Sequence, residues 1–409
     1  MRIALIGPLP PELGGAGPGG VATHQAHLAA GLSSVADVHV ALLATNCLAP
    51  AQVPYAVWPL PSPTARDMLA PAYVRRVGAL RLAHYALRLA RASAPGSRRE
   101  HLANLLWYRH FLTSTRPDVV HVQHPLERLA YVNEVAQLER RRWPLVVTAH
   151  SFFGEHADDV IHGFMAPNLR TADRVIAVSP HIADQAAQLG VDRARIRVIR
   201  SGIDTERYHP RSRPEARSRL GIPTDAPLVL FVGNLEPRKQ VQVLLQALVI
   251  VRASVPAVRL AIVGAGDELA RLRAVAADLG VASSVCLTGR VSPATLRDWY
   301  AAADVFALPS SSEAQGIVAL EAMACGLPVV ASAVGGLHGT IDDSDNGFLV
   351  PAGEPEPLAQ RLLSLLSSPA LRESIGAAAL RKVSREFSWQ RTVQATVEVY
   401  RELLQCPNR

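Results

Sequence analysis

Lysine is almost missing from this sequence: of 42 basic residues, only Lys239 and Lys382 are lysines. Cysteine is scarce too. Cys47, Cys286, Cys325 and Cys406 lie far apart, with no CxxC pair and no Cys/His cluster. That argues against a disulfide scaffold and a structural zinc site, and fits a reducing cytoplasm. Aromatic residues make up 5 % of the chain and charged residues 19 %, against 49 % hydrophobic. This balance excludes a disordered chain and a coiled coil. No apolar run approaches the roughly 18 residues of a membrane helix, and the apolar stretch that opens the chain is too short for a signal peptide. The expectation is a cytoplasmic protein, with peripheral attachment to the inner face of the membrane left open. The net charge of +7 suits an anionic partner without identifying it.

What the 409 residues do contain is enough chain for about two or three domains. Short runs rich in Val, Ile and Leu alternate with longer helical stretches. The first series covers 2–7, 38–45, 118–123, 144–150, 174–179 and 195–200. The second covers 227–233, 258–264, 285–289, 304–309 and 328–332. Most lack a polar face, as do strands of a parallel sheet covered on both sides. The reading is α/β with βαβ units. Residues 202–223, with Gly202, Pro210, Pro214 and Gly221-Ile222-Pro223, read as a linker between the two series. We expect two Rossmann-like domains facing a central cleft, 1–205 and 206–386, with a terminal helix, 387–409, crossing back to the first.

Three loops carry the chemistry. Gly14-Gly15-Ala16-Gly17-Pro18-Gly19-Gly20 follows a strand and opens a helix, where backbone N–H groups and the helix dipole suit a phosphate. A nicotinamide dinucleotide is the rival ligand. Strand two ends in Ala44-Thr45-Asn46, without an acid for the ribose, and Pro18 disturbs the glycine turn. Gly233-Asn234-Leu235-Glu236-Pro237-Arg238-Lys239 places two cations at a helix entrance, against the dipole, which calls for a bound anion or for a solvated pair. Ser310–Gly316 leads into a helix that stops at Gly326 and Pro328. Glu313 lies at the helix mouth and Glu321 eight positions on, among Ile317, Val318, Leu320 and Met323. A carboxylate there needs hydrogen bonds. Vicinal sugar hydroxyls would supply them, and an early helix charge favoured by the dipole is the alternative.

His121, His124 and His150 sit at or near strand ends of the first series. A single such histidine is more often structural, but two at sheet carboxyl ends favour a site. Asp343-Ser344-Asp345 has the form of a metal-binding DxD but the composition of a polar turn.

Together these pieces resemble family 4 of the nucleotide-sugar glycosyltransferases, of GT-B fold, over nearly the whole chain. The strongest part is Glu313 to Glu321, the family's E-x7-E element, continuing from Ala322 through Gly326 to Val330. Pro18-Gly19-Gly20-Val21-Ala22-Thr23-His24, Ser201-Gly202-Ile203-Asp204, Asn346–Pro351 and Phe387-Ser388-Trp389 are further matches. The resemblance implies that Lys239, aided by Arg238, holds the donor diphosphate. It implies that Glu321 binds the ribose hydroxyls and Glu313 the donor sugar. Backbone at Gly316, Ile317 and Val318 meets the diphosphate, Gly19 and Gly20 close over it, and Arg290 and Val291 meet the base. His150, with His124, lines the acceptor side. Asn234 stands where the family often has Arg, Ala314 and Gln240 where it often has Gly, and Leu337-His338 where Pro-Glu often follows Gly335-Gly336.

The implied activity is transfer of a sugar, with retained configuration, from a UDP- or GDP-linked donor to an acceptor hydroxyl. No cofactor and no metal are expected. The leaving diphosphate itself takes the acceptor proton. The acceptor ranges from a lipid-linked glycan to a small metabolite, and no nucleic acid is expected as partner. A nucleotide-sugar 2-epimerase of the same fold and a non-catalytic nucleotide-sugar-binding scaffold are the alternatives. Between Leu60 and Arg116 there are ten arginines and only Asp67 and Glu100 as acids, a pattern that suits either an anionic membrane surface or a solvated face.

Overall fold

The computed structural model describes residues 1–10, 13, 20–42, 53–59, 98–124, 127–140, 142–151, 163 and 165–405. The basic stretch 60–97, the glycines 14–19, Cys47 and Cys406 lie outside the described residues. The chain divides into two compact units, Met1–Arg200 with Thr392–Arg409, and Ser201–Arg391.

In the first unit, seven strands form one sheet: β1 (Arg2–Gly7), β2 (Asp37–Leu42), β3 (Ala56–Pro59), β4 (Val119–Gln123), β5 (Leu145–Ala149), β6 (Arg174–Ala177) and β7 (Ile196–Val198). Their order is β3-β2-β1-β4-β5-β6-β7, and every pairing is parallel. β4 and β5 are buried along their whole length, which is why aliphatic residues prevail in both. The order reverses between β1 and β4. In open α/β sheets ligands bind beyond the strand carboxyl ends at such a point. Gly20, which opens the helix Gly20–Leu32, and His124 lie on the segments leaving those two strands.

The second unit repeats the plan with β8 (Leu228–Val232), β9 (Arg259–Val263), β10 (Val285–Gly289), β11 (Val305–Leu308), β12 (Val329–Ser332) and β13 (Phe348–Val350). The order is β10-β9-β8-β11-β12-β13, again all parallel. The reversal falls between β8 and β11. The loop after β8 carries Asn234, Arg238 and Lys239, and the loop after β11 carries Glu313.

Three readings need correction. The runs at 195–200 and 285–289 suggest strands covered on both sides. They form β7 and β10, each an edge strand, so both are partly exposed. Residues 202–223 are not a plain linker. They contain the helix Arg213–Leu220, capped by Ser212 and ended by Gly221 in the left-handed region, φ +66. Glycines and prolines there mark the helix ends rather than a free tether. β3 and β13, short strands of three or four residues, gave too little pattern to be seen.

Arg217 ties that helix into the second unit. It is 1 % exposed, donates Nη2 to Asp304 Oδ2 at 2.8 Å and Nε to the Ala302 carbonyl at 2.9 Å, and gives Nη1 to the carbonyls of Pro223 and Thr224. Asp304, just before β11, also accepts from the Leu228 amide at 2.8 Å and pairs with Arg213. One carboxylate thus aligns the starts of β8 and β11, the two strands whose far ends bear the site. Removing one member of a buried pair leaves the other charge unpaired, at a cost of about 3–5 kcal/mol. Asp304→Ala is expected to lower the second unit's stability by that amount in urea unfolding. A loss under about 1 kcal/mol would deny the network this role.

Candidate active site

Lys239 ends a single 3-10 turn, Pro237–Lys239, that Pro237 favours by its fixed φ. Its ammonium is buried, 7 % exposed, and donates to Glu313 Oε1. Glu313 is equally buried, and Ser310 Oγ donates to the same oxygen at 2.8 Å. The residues read as diphosphate and sugar ligands are therefore each other's partner at the reversal point of the sheet. Arg238 Nε bonds Glu236 Oε2 at 2.8 Å, and Asn234 Nδ2 lies 3.3 Å from Glu236 Oε1. The two cations that oppose the helix dipole have carboxylate partners, so local pairing rather than a bound anion alone accounts for them. The backbone joins the loops as well. The Arg238 carbonyl accepts from the Ser311 amide at 2.8 Å.

Close packing accounts for one glycine, and backbone conformation for the glycine that the family often has at one departure. A Cβ on Gly336 would lie 1.8 Å from the Ala314 carbonyl oxygen, while the Gly336 amide donates to the Glu313 carbonyl at 2.8 Å. Gly336 thus lets the loop bearing Glu313 lie on its backbone. Gln240, where the family often has glycine, takes φ +47, a conformation glycine adopts without strain.

Gly316 has φ +79 and precedes the helix Ile317–Ala324, whose first residues Ile317 and Val318 are partly exposed. Glu321 sits past the first turn, so the helix dipole alone does not account for it. Its Oε2 accepts from the Tyr300 hydroxyl at 2.7 Å, and Tyr208 hydrogen-bonds the same carboxylate. Burial raises its pKa, and the two phenols pull it back. The tyrosine rings meet edge-on, centroids 5.8 Å apart. Burial, and then the Glu321 charge, push the Cys325 thiol up to about 12. Tyr208 and Tyr300 lie 113 and 21 positions before Glu321, and no short motif joins them. Arg290 and Val291 follow β10 on the same carboxyl edge, but two strands away from β8.

Asp343-Ser344-Asp345 forms a turn. Asp343 Oδ1 accepts from the Leu349 amide at 2.9 Å, and Ser344 has φ +65. Neighbouring Asp342 pairs with Lys382 at 2.7 Å. Among the described residues no group of three His, Cys, Asp or Glu is placed to hold a metal ion. No described helix is long and apolar enough to cross a membrane.

The first unit gathers His24, His121, His124 and His150. His150 Nε2 bonds Gln123 Oε1 at 2.8 Å, and its ring meets His24 edge-on, centroids 4.6 Å apart. His124 takes φ +73 and its Nδ1 is buried without a hydrogen-bond partner, a strained residue of the kind that collects at functional sites. Gln123 and His24 were missed by sequence reasoning. Gln123 had a signal, since it shares a strand face with His121 in a run of valines.

Burial, then His27, lowers the His24 pKa to about 3; burial, then His24, lowers His121 to about 3; burial, then Arg128, lowers His124 to about 4. His150 is lowered well below its ordinary value by burial, then by His24, His124 and His121. Below pH 6.5 the unfolded chain binds protons that the folded unit refuses. Stability is therefore whole above that value and falls as pH drops toward 4, by about 1.4 kcal/mol per pH unit for each histidine. Thermal unfolding of this unit is expected at lower Tm near pH 5 than near pH 7.5, with a shallower slope in His121→Asn. A Tm that does not move over that range would contradict it.

Such twin parallel sheets, with ion-paired loops at the reversal point of the second, define a two-domain Rossmann-like α/β protein of the GT-B class. Residues 212–382 match the family model described as "Glycosyl transferases group 1", and residues 18–207 match "Glycosyltransferase Family 4". The chain belongs to this glycosyltransferase family and is a transferase. It is similar to the D-inositol 3-phosphate glycosyltransferase of Thermobispora bispora, 34 % identical over 343 residues, covering 78 % of this chain and 79 % of the relative. The protein of the same description from Geodermatophilus obscurus is 38 % identical over 308 residues, covering 69 % and 66 %. In fold it is similar to sucrose-phosphate synthase from Thermosynechococcus elongatus, TM-score 0.77, 23 % identity, 99 % of each chain. It is also similar to Anabaena HepE in complex with UDP-glucose, TM-score 0.70, 22 % identity, 98 % of this chain and 100 % of the other.

Proposed function

We propose that the protein is a retaining glycosyltransferase that moves a sugar from a nucleoside-diphosphate sugar to an acceptor hydroxyl without a metal ion. The observation that carries the reading is the Lys239–Glu313 pair, brought together by the two loops at the reversal point of the second sheet. An ammonium held there by one carboxylate oxygen, with Arg238 beside it, supports the reading of a diphosphate site. UDP is the first nucleotide to test, because a structural neighbour binds UDP-glucose. D-inositol 3-phosphate is the first acceptor, because the sequence relatives carry that name.

In the reaction the bond from the anomeric carbon to the donor phosphate oxygen breaks, and its electron pair goes to the diphosphate. The acceptor oxygen bonds to the same face of that carbon, and its proton passes to the departing phosphate oxygen. Lys239, already shielded from water, and the half-buried Arg238 oppose the charge that builds there. Glu321, held between Tyr208 and Tyr300, orients toward vicinal hydroxyls as a hydrogen-bond acceptor. His150 and His124, neutral at pH 7, serve as hydrogen-bonding groups for a sugar or acceptor hydroxyl rather than as cations. The acids at 342 and 343 are engaged in holding a turn and pairing Lys382, which leaves electrostatic work to the basic residues.

Turnover is to be measured with UDP-glucose, UDP-N-acetylglucosamine and GDP-mannose, each with and without D-inositol 3-phosphate. Lys239→Ala and Glu321→Ala are each expected to weaken donor binding or turnover on the order of 10–100-fold, the cost of about 1.5–3 kcal/mol for a lost charged hydrogen bond. Parental affinity and turnover in both would sink the assignment. Nucleoside diphosphate released only when acceptor is present favours transfer over epimerisation, and no release with any pair favours a scaffold.

Metal independence has its own test. After dialysis, activity is expected to persist in excess chelator. Complete loss, restored by magnesium or manganese, would mean that a divalent ion carries the leaving-group charge.

A further inference from the structure

β4 and β5 pair so that Gln123 lies opposite Thr148. Alternate residues of a strand share a face, so His121 and Gln123 on β4 stand beside Thr148 on β5 and His150 just past its end. All four are buried, from 0 to 9 % exposed, in strands otherwise made of valine, leucine and alanine. The terminal helix Trp389–Gln405 brings Tyr400, also 0 % exposed, to the same place, where its hydroxyl bonds His121 Nδ1. Five buried polar side chains from three segments thus form one connected chain. A core with no use for them would hold apolar residues there, since each buried polar group must find a partner.

The chain has a direction. The Gln123 amide accepts at one end and donates at the other. Its Oε1 lies 2.8 Å from His150 Nε2, so that nitrogen bears the hydrogen. Its Nε2 lies 3.3 Å from His121 Nε2, and Thr148 Oγ1 lies 2.7 Å from the same nitrogen. His121 Nε2 therefore carries the lone pair and accepts from both. His121 then holds its hydrogen on Nδ1 and donates it to the Tyr400 oxygen. Burial holds Tyr400 as the neutral phenol and His121 as the neutral ring, so no extra proton scrambles the order.

We propose that Tyr400, His121 and Gln123 are positioning residues that fix His150 as its Nε2–H form, leaving Nδ1 as the nitrogen that accepts a hydrogen bond from a substrate hydroxyl. This rests on the reading of His150 as a substrate contact. Gln123 is the pivot, because its amide bonds both His150 and His121. Tyr400 anchors the far end from a helix 279 positions away in sequence. An imidazole with its hydrogen on the wrong nitrogen keeps its place and loses its function, so the effect falls on turnover rather than on folding.

The test uses the full chain labelled with 15N-histidine, in which the protonated and lone-pair nitrogens of a neutral ring resonate far apart. His150, assigned with His150→Ala, is expected as Nε2–H in the parent and as a mixture of both forms in Gln123→Leu. Turnover is measured with the sugar nucleotide of the panel above that the parent uses. Gln123→Leu should lower kcat on the order of 10–100-fold with donor KM little changed. Gln123→Glu keeps the acceptor for His150 Nε2–H but has no donor for His121, so His150 is expected to stay in the single Nε2–H form while the His121 hydrogen moves to Nε2. His150 protonated on Nδ1 in the parent would overturn the proposal, as would a Gln123→Leu variant in which His150 stays wholly in the Nε2–H form. If His150→Ala turns over as fast as the parent, the reading of His150 as a substrate contact falls and the proposal with it. A slow His150→Ala combined with an Nδ1–H parent overturns the positioning role alone.

Discussion

The second unit is arranged around one interaction, the buried pair between Lys239 and Glu313. Desolvating an ammonium and a carboxylate costs several kcal/mol each, and their attraction recovers this only with good geometry and further hydrogen bonds. Here Ser310 provides the added bond, the Arg238 carbonyl locks one loop to the other through Ser311, and Gly336 gives the loop its bed. Such a pair is a weak way to gain stability. It is a good way to hold an ammonium at a fixed point without water, ready to exchange part of its interaction with one anion for another. The Asp304 network at the opposite ends of β8 and β11 sets where those two loops emerge.

The two units solve the same problem with different chemistry. Where the second uses opposite charges, the first uses neutral histidines whose protons are directed by hydrogen bonds. Burial among one another keeps all four imidazoles uncharged at neutral pH. Glu321 lies between these extremes: a carboxylate whose burial is offset in part by two phenols and then by the Arg207 charge. Tyrosine suits that task because it donates a strong hydrogen bond without bringing charge, which leaves the carboxylate able to accept from a sugar hydroxyl as well. Lys382, the second lysine, is buried against Asp342 and holds the turn that ends in β13.

Much of this was legible in the sequence because parallel strands covered on both faces leave mainly aliphatic runs. β1, β4, β5, β8, β9, β11 and β12 announce themselves that way, and glycine and proline mark the loops that follow. Lys239 and Glu321 were visible as charges where the surrounding pattern does not favour them, and Glu313 through its spacing to Glu321 in the family's E-x7-E element. What pairs with what was not visible. That Lys239 meets Glu313, and that Tyr208 and Tyr300 reach Glu321, depends on which strands are neighbours, a property of the sheet order rather than of any window of sequence. Tyr400 is the extreme case, since it completes a chain that begins on β4. The helix Arg213–Leu220 was misread because its prolines and glycine are punctuation for a helix as readily as for a linker.

The near absence of lysine offers a direct way to observe the central pair. In protein labelled with 15N-lysine, only Lys239 and Lys382 have side-chain ammonium signals, and both are buried and ion-paired. Protein carrying Lys382→Arg assigns them. Titration with UDP is expected to shift the Lys239 signal to saturation while Lys382 stays in place. A Lys239 signal unmoved at UDP concentrations that saturate binding would contradict the account, because the diphosphate would then be held elsewhere.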